Sequence, residues 1–162
     1  MKFFLNSQTT AYLRNLETEF GESTNSIRQE LNRFEKAGLL SSFVSGNKKF
    51  FQANISHPYY PEIHRILMKY TGIDHIVEEV VLRVGNLAKA YVTGDFAQGR
   101  PGRVIDILLV GDYFDTTYLA NLVAKAEQIT SLKIRYITTA PDDEEVYIHP
   151  GENALLIWSS NK

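Results

Sequence analysis

A chain of 162 residues with 44% hydrophobic and 22% charged side chains has the composition of a folded protein, enough for one mid-sized domain or two small ones, and wholesale disorder is excluded. The absence of cysteine removes disulfides, thiolate metal sites and cysteine nucleophiles together, and fits a reducing cytoplasm. The net charge of −2 divides unevenly: residues 1–70 hold nine Lys/Arg against six Asp/Glu, a net +3, and residues 71–162 hold eight against thirteen, a net −5. A basic module can therefore sit inside an overall acidic chain.

The first residues open as a secretion signal would, yet the chain turns polar after Leu5, and that apolar run is too short for a secretory core. No stretch approaches the ~18 consecutive apolar residues of a membrane-spanning helix. The expectation is a cytoplasmic protein with no membrane partner.

Residues 10–20 place Leu13, Leu16 and Phe20 on one helical stripe, with Gly21 where a left-handed turn would end it. A second helix opens in the Ser23-Thr-Asn-Ser26 cluster, rich in N-cap side chains, and carries Ile27, Leu31 and Phe34 until Ala37-Gly38. At ~100° per residue its opposite sector presents Asn25, Arg28, Gln29, Asn32 and Lys36. Arg can donate two bonds to guanine and Asn or Gln can pair with adenine, so this face suits a DNA major groove. A plain solvated face is the alternative. Two β-prone runs about Gly46-Asn47 read as a hairpin, with Lys48 and Lys49 just beyond its tip, where they and Ser26 could meet backbone phosphates.

Taken together, Tyr12-Leu-Arg-Asn-Leu16, Asn25-Ser-Ile-Arg-Gln-Glu-Leu-Asn-Arg-Phe-Glu-Lys-Ala-Gly-Leu-Leu40 and Lys48-Lys-Phe-Phe-Gln-Ala-Asn54 resemble an ArsR-type winged-helix regulator over about residues 3–72. The resemblance implies a homodimer on double-stranded operator DNA, with recognition residues on the second helix and phosphate contacts at the wing. Metal-sensing members use cysteine-rich sites, which this chain lacks.

His57-Pro-Tyr-Tyr-Pro61 breaks the chain, and a new helix carries Ile63, Ile66, Leu67 and Tyr70, a stripe able to pair with its copy in a second chain. Another helical stretch spans residues 73–84. His57 and His64 would share a face only within one helix, which Pro58 and Pro61 oppose, so they, His75 and His149 read as surface or partly buried histidines and not as metal ligands.

The remainder alternates strands and helices, the signature of an α/β domain. Residues 87–92 form a strand, 94–99 a glycine-rich turn, 104–110 a strand, 117–129 a helix, 132–138 a strand and 154–158 a last strand. The Asp142-Asp-Glu-Glu145 run reads as a solvated turn or helix start. Gly94-Asp-Phe-Ala-Gln-Gly99 followed by Val104-Ile-Asp106 resembles the minimal nucleotidyltransferase domain over residues 73–162. The family has a serine where Asp95 stands, two aspartates one residue apart where Val104 and Asp106 stand, and a third carboxylate on a later strand, where residues 133–138 provide none. Its chemistry needs a carboxylate cluster for Mg²⁺, and a carboxylate at 95 lying ~4 Å from a phosphate would be repelled by roughly 4 kcal/mol at an effective dielectric of ~20.

The expected architecture is thus α+β overall: a winged helix-turn-helix over residues 1–72, then a small nucleotidyltransferase-like α/β domain with a mixed sheet over residues 73–162. The expected function is a homodimeric DNA-binding transcriptional regulator, not an enzyme, needing no cofactor. Its second domain would serve oligomerisation or bind an unknown small ligand at Gly94, Asp95, Arg100, Arg103 and Asp106. The alternatives are a nucleotidyltransferase targeted by its winged helix, and a winged helix that binds protein.

Overall fold

The computed structural model describes residues 2–100, 102–148 and 154–160; His149 lies outside them. The chain divides into two compact units, Met1–Arg65 and Ile66–Lys162.

In the first unit, α1 (Lys2–Leu5) buries Phe3, Phe4 and Leu5. This turn escapes a periodicity search because four residues are too few to show a stripe. The expected helix over residues 10–20 begins later: Ala11–Tyr12 is β1, and α2 is Leu13–Phe20. The difference is a long-range one, since Ala11 and Tyr12 pair antiparallel with Phe51 and Phe50. Gly21 ends α2 at φ 65°, its N–H donating to the Glu17 carbonyl, as a left-handed cap does. α3 (Thr24–Lys36) is capped by the Ser23 hydroxyl, which accepts from the Ser26 N–H at 3.2 Å; such a cap contributes about 1 kcal/mol.

β2 (Leu40–Ser45) and β3 (Lys48–Ala53) pair across the two-residue turn Gly46-Asn47, giving a three-stranded sheet in the order β1-β3-β2. Leu16, Ile27, Leu31, Leu40, Phe51 and Ala53 are buried, each contributing up to ~1.5–3 kcal/mol if large and aliphatic or aromatic. Two members of the expected stripes are not core: Phe20 is 57% and Phe34 39% exposed. The ring of Phe34 instead meets that of Phe4 edge-on at 6.1 Å.

Helix α4 (Tyr60–Thr71) carries the expected apolar stripe, with Ile66 and Tyr70 exposed. His57 precedes it and His64 lies within it, the latter's Nδ1 3.0 Å from the Phe4 carbonyl, so the two do not share a helix. The stretch expected as one helix over residues 73–84 is α5 (Ile73–Ile76) followed by a π-helical turn, Val77–Val81. Among the described residues no helix is long and apolar enough to cross a membrane.

The second unit is mixed α/β. β4 (Leu87–Thr93), α6 (Gly94–Ala97), β5 (Val104–Gly111), α7 (Thr116–Thr130), β6 (Lys133–Thr139) and β7 (Leu155–Ser159) follow in order. The sheet runs β6-β5-β4-β7, with β5 and β6 parallel and the other pairs antiparallel. β5 is central, and Ile105, Ile107, Leu108, Leu109 and Val110 are all buried, the near-continuous apolar run expected of a strand covered on both faces. α7 makes the crossover that a parallel pair requires. It buries Leu119, Leu122, Val123 and Ala126, packs against α5 and the π-helical turn, and is capped by Asp115, whose carboxylate accepts from the Tyr118 N–H at 2.9 Å.

Candidate functional site

Side chains on cross-strand neighbours share a sheet face. Thr93 on β4 lies opposite Asp106 on β5, which lies opposite Arg135 on β6. Arg135 grips Asp106 with both arms of its guanidinium, Nε to Oδ1 at 2.7 Å and a terminal nitrogen to Oδ2 at 2.9 Å. These hydrogen bonds, then the carboxylate's charge, hold the Arg135 guanidinium above its ordinary pKa. Gly94 closes the row. It sits at φ +63°, and a Cβ there would stand 2.9 Å from Asp106 Oδ2, so only glycine lets the strand end turn so close to the carboxylate. A groove of about 460 Å³ opens at this row, walled by Thr93, Asp106, Arg135, Ile137 and Tyr147.

One row further along the same face, Tyr91 and Lys89 of β4 hold Glu144 of α8 (Glu144–Tyr147), which follows the 3₁₀ turn Pro141–Asp143. Lys89 Nζ reaches both carboxylate oxygens at 3.0 and 2.7 Å, and the Tyr91 hydroxyl donates at 2.5 Å. Burial alone would raise the Glu144 carboxyl; the hydrogen bonds from Lys89 and Tyr91 and the Lys89 charge outweigh it and hold it below the usual carboxylate range. The acidic run, expected as a solvated turn or helix start, does begin a helix at Glu144, and Glu144 alone of the four is drawn out of solvent. Glu144 is bound into the sheet and fixes α8, and with it Tyr147, beside the groove.

The structure joins only part of the expected ligand pocket. Gly94 and Asp106 meet. Asp95 does not face the groove: its carboxylate, 73% exposed, pairs with Arg100 at 2.8 Å, and Arg100 also donates to Gln98. Arg103 is exposed at the start of β5, where its carbonyl accepts from the Lys133 N–H at 2.8 Å. Arg135 was missed, because the sequence shows it only as a residue that is not a carboxylate; the parallel register of β5 and β6 is what sets it against Asp106.

In the first unit, Asn25, Ser26, Arg28, Gln29, Asn32 and Lys36 are exposed on α3, and Lys48 and Lys49 start β3. Arg28, Asn32, Lys48 and Lys49 come together on a second cavity, of about 580 Å³. Asn25, Gln29 and Lys36 lie outside it, and Ser26 borders a separate hollow beside Phe4, Phe20 and Phe34. The Lys48 ammonium stands 4.4 Å above the Tyr12 ring, and that of Lys49 stands 5.0 Å above Phe51 while bridging to Glu35 at 2.8 Å.

No protein-family model matches the chain, and no curated protein matches it either. Among solved structures, the chain is similar to a proposed nucleotidyltransferase from Sulfolobus solfataricus, at 23% identity over 60% of this chain and 86% of that one, with a TM-score of 0.41. It is also similar to a chain of the tri-AMPylated HEPN toxin–MNT antitoxin complex of Shewanella oneidensis, at 12% identity over 57% and 73%, TM-score 0.40. A toxin–antitoxin structure with AMP-PNP gives 17% identity over 57% and 74%, TM-score 0.40. The expectation of an ArsR-type, DNA-binding transcriptional regulator without enzymatic activity is corrected by these findings. The structures matched are of nucleotidyltransferase and toxin–antitoxin proteins, and the sequence resemblance to ArsR regulators has no family match behind it.

The Mg²⁺ that the sequence resemblance to nucleotidyltransferases implies does not fit the residues present. Val104 occupies the position two before Asp106 on the same strand face, and Arg135 occupies the one opposite. Both Asp106 oxygens are already engaged by the guanidinium. A divalent ion ~4 Å from that guanidinium would be repelled by roughly 8 kcal/mol at an effective dielectric of ~20. Among the described residues no three His, Asp or Glu side chains gather closely enough to hold a metal ion.

Proposed function

We propose that the second unit is a nucleotidyltransferase-type enzyme domain that holds a nucleoside triphosphate at Arg135, and that the first unit is a winged-helix module that targets it. What supports the first half is the Asp106–Arg135 pair, set directly beneath Gly94 in an open groove. An arginine fork matches phosphate geometry as well as carboxylate geometry, and fixed arginines can stabilise charge on a transferring phosphoryl group. The pair is exposed enough to exchange partners, Arg135 being 72% and Asp106 28% accessible. A phosphate that takes Arg135 frees Asp106, which is the one carboxylate among the described residues lining the groove. Freed, it can accept the proton of a hydroxyl that attacks the α-phosphate as the bond to the β-phosphate breaks and pyrophosphate leaves. Ile137 and Tyr147 offer apolar and aromatic surface on the same groove, suited to a nucleobase.

The second half rests on the order of α1, β1, α2, α3 and the β2–β3 hairpin, with β1 closing the sheet. That is the order of a helix-turn-helix followed by a wing. The occurrence of the similar structures in toxin–antitoxin complexes favours a protein partner for this chain.

The test is ATP labelled on its α-phosphate, incubated with the purified chain and cell protein, with binding and transfer followed separately. Arg135→Ala should abolish both. Asp106→Asn should tighten ATP binding, because the competing carboxylate charge is gone, and should abolish transfer. ATP binding that requires magnesium and disappears in Asp106→Asn would instead make Asp106 a metal ligand, and would sink the reading.

A further inference from the structure

We propose that the cavity of the first unit is a docking groove for an acidic, partly apolar peptide segment of a partner protein. The inference names what the targeting module grips and rests on reading that unit as a protein-binding module; it is independent of the nucleotide groove.

The floor and walls of the cavity are apolar: Leu31 and Phe51 are buried there, and Tyr12 and Leu13 are half-buried. Its rim is basic. Arg14 projects from α2, Arg28 from α3 and Lys48 from the hairpin, so three separate elements aim cations at one concavity. The guanidinium groups of Arg14 and Arg28 have no hydrogen-bond or ion-pair partner among the described residues. Lys49 is different, since Glu35 neutralises it. Glu17 is the one acidic side chain among the described lining residues. Three uncompensated cations against one carboxylate leave a net positive rim over an apolar floor.

A partner for such a groove needs carboxylates spaced along a chain that also carries apolar side chains. Complementary charge would steer its approach and set register, while the apolar side chains fill the floor. Nucleic acid is less well matched on two counts. The aromatic faces that would stack bases are covered, Tyr12 by Lys48 and Phe51 by Lys49. The cations also surround a hollow, whereas a duplex is read by a helix that projects into its groove.

The experiment uses the full chain and a short fluorescein-labelled peptide alternating Glu with Leu, followed by fluorescence anisotropy. The peptide should bind, and added salt should weaken it by screening. Arg28→Glu should weaken binding by ~10-fold or more, and Arg14→Glu, on another helix, should do the same. The helical circular-dichroism signal and ATP binding should be unchanged in both variants. A peptide with Ser for every Leu should bind more weakly, reporting the apolar floor. Equal binding by both charge-reversed variants, or equal binding of the Ser peptide, would overturn the proposal. So would a mixed-sequence duplex DNA that displaces the peptide and binds more tightly. A parent chain that binds the peptide but no ATP would leave this proposal standing and remove the nucleotide reading; a parent chain that binds ATP but not the peptide would remove this one alone.

Discussion

The cavities of the two units present their arginines in opposite ways. In the second, Arg135 is gripped through both arms by Asp106 on the neighbouring strand. In the first, Arg14 and Arg28 stand on the rim of an apolar hollow and pair with no carboxylate among the described residues. A cation already neutralised by its neighbour must be won from it, so a ligand there competes with a fixed carboxylate and gains the difference between two similar pairs. A cation left open keeps its full field for a partner arriving from solution, although water and salt weaken that field. The first arrangement suits a site where binding releases a chemical group, here the Asp106 carboxylate. The second suits recruitment.

Each unit carries its own buried core, so truncating one core should leave the other in place. Leu109 is fully buried in β5 and Leu31 is buried in α3; truncating either to alanine should cost ~2–5 kcal/mol. The chain's single tryptophan, Trp158, lies in β7 of the second unit. In urea, Leu109→Ala should lower the midpoint seen by Trp158 fluorescence, while Leu31→Ala should leave that midpoint in place and shift the helical signal. Equal movement of the Trp158 midpoint by both would mean one cooperative body.

A smaller effect concerns the wall of the second unit's groove. Because the fold holds the Glu144 carboxyl below its ordinary value, the stability it contributes is present above the unfolded carboxylate's pKa of 4.5 and is lost as pH falls through the lower folded value. Glu144→Gln should therefore unfold at lower urea than the parent near neutrality, and the two should converge in acid below the ordinary carboxylate range. Parallel curves across that range would deny the Lys89–Tyr91–Glu144 cluster its role in fixing α8.

The smallest effect concerns Lys49. Its bridge to Glu35 joins side chains 46% and 31% exposed, and such surface pairs are worth ~0–1 kcal/mol. Lys49→Ala should change stability by less than ~1 kcal/mol and should weaken the acidic peptide far less than Arg28→Glu does. A loss matching that of Arg28→Glu would show that Lys49 is freed from Glu35 when the groove is filled.

Much of the local architecture was legible before any coordinates. α3 announced itself by its N-cap cluster and its Ile27–Leu31 spacing, the β2–β3 hairpin by Gly46-Asn47, and β5 by an apolar run too short for a helix. These are signals whose physics lies within a few residues of chain. The helix dipole, the capping hydroxyl and the turn conformation all act on near neighbours. Half of the second-unit site was visible too, in Gly94 and Asp106, because a glycine turn followed by a carboxylate strand is a pattern along the sequence. The regulator reading failed for a different reason: a polar helix face and a basic hairpin describe what a module could contact and do not determine which partner it meets.

What the amino-acid sequence determined by itself was the order and type of most elements, the asymmetry of charge between the halves, and the substitution of valine for a carboxylate at position 104. What only the tertiary structure decided was which distant side chains meet. β1 exists because Ala11 and Tyr12 find Phe51 and Phe50 across about forty residues. Glu144 leaves an otherwise exposed acidic run because Lys89 and Tyr91 wait on β4. Arg135 opposes Asp106 because β5 and β6 pair in parallel in this register. A one-residue slip would turn Arg135 to the other face of the sheet, and that choice is made by burial of the whole strand's apolar set, which no local window of sequence contains.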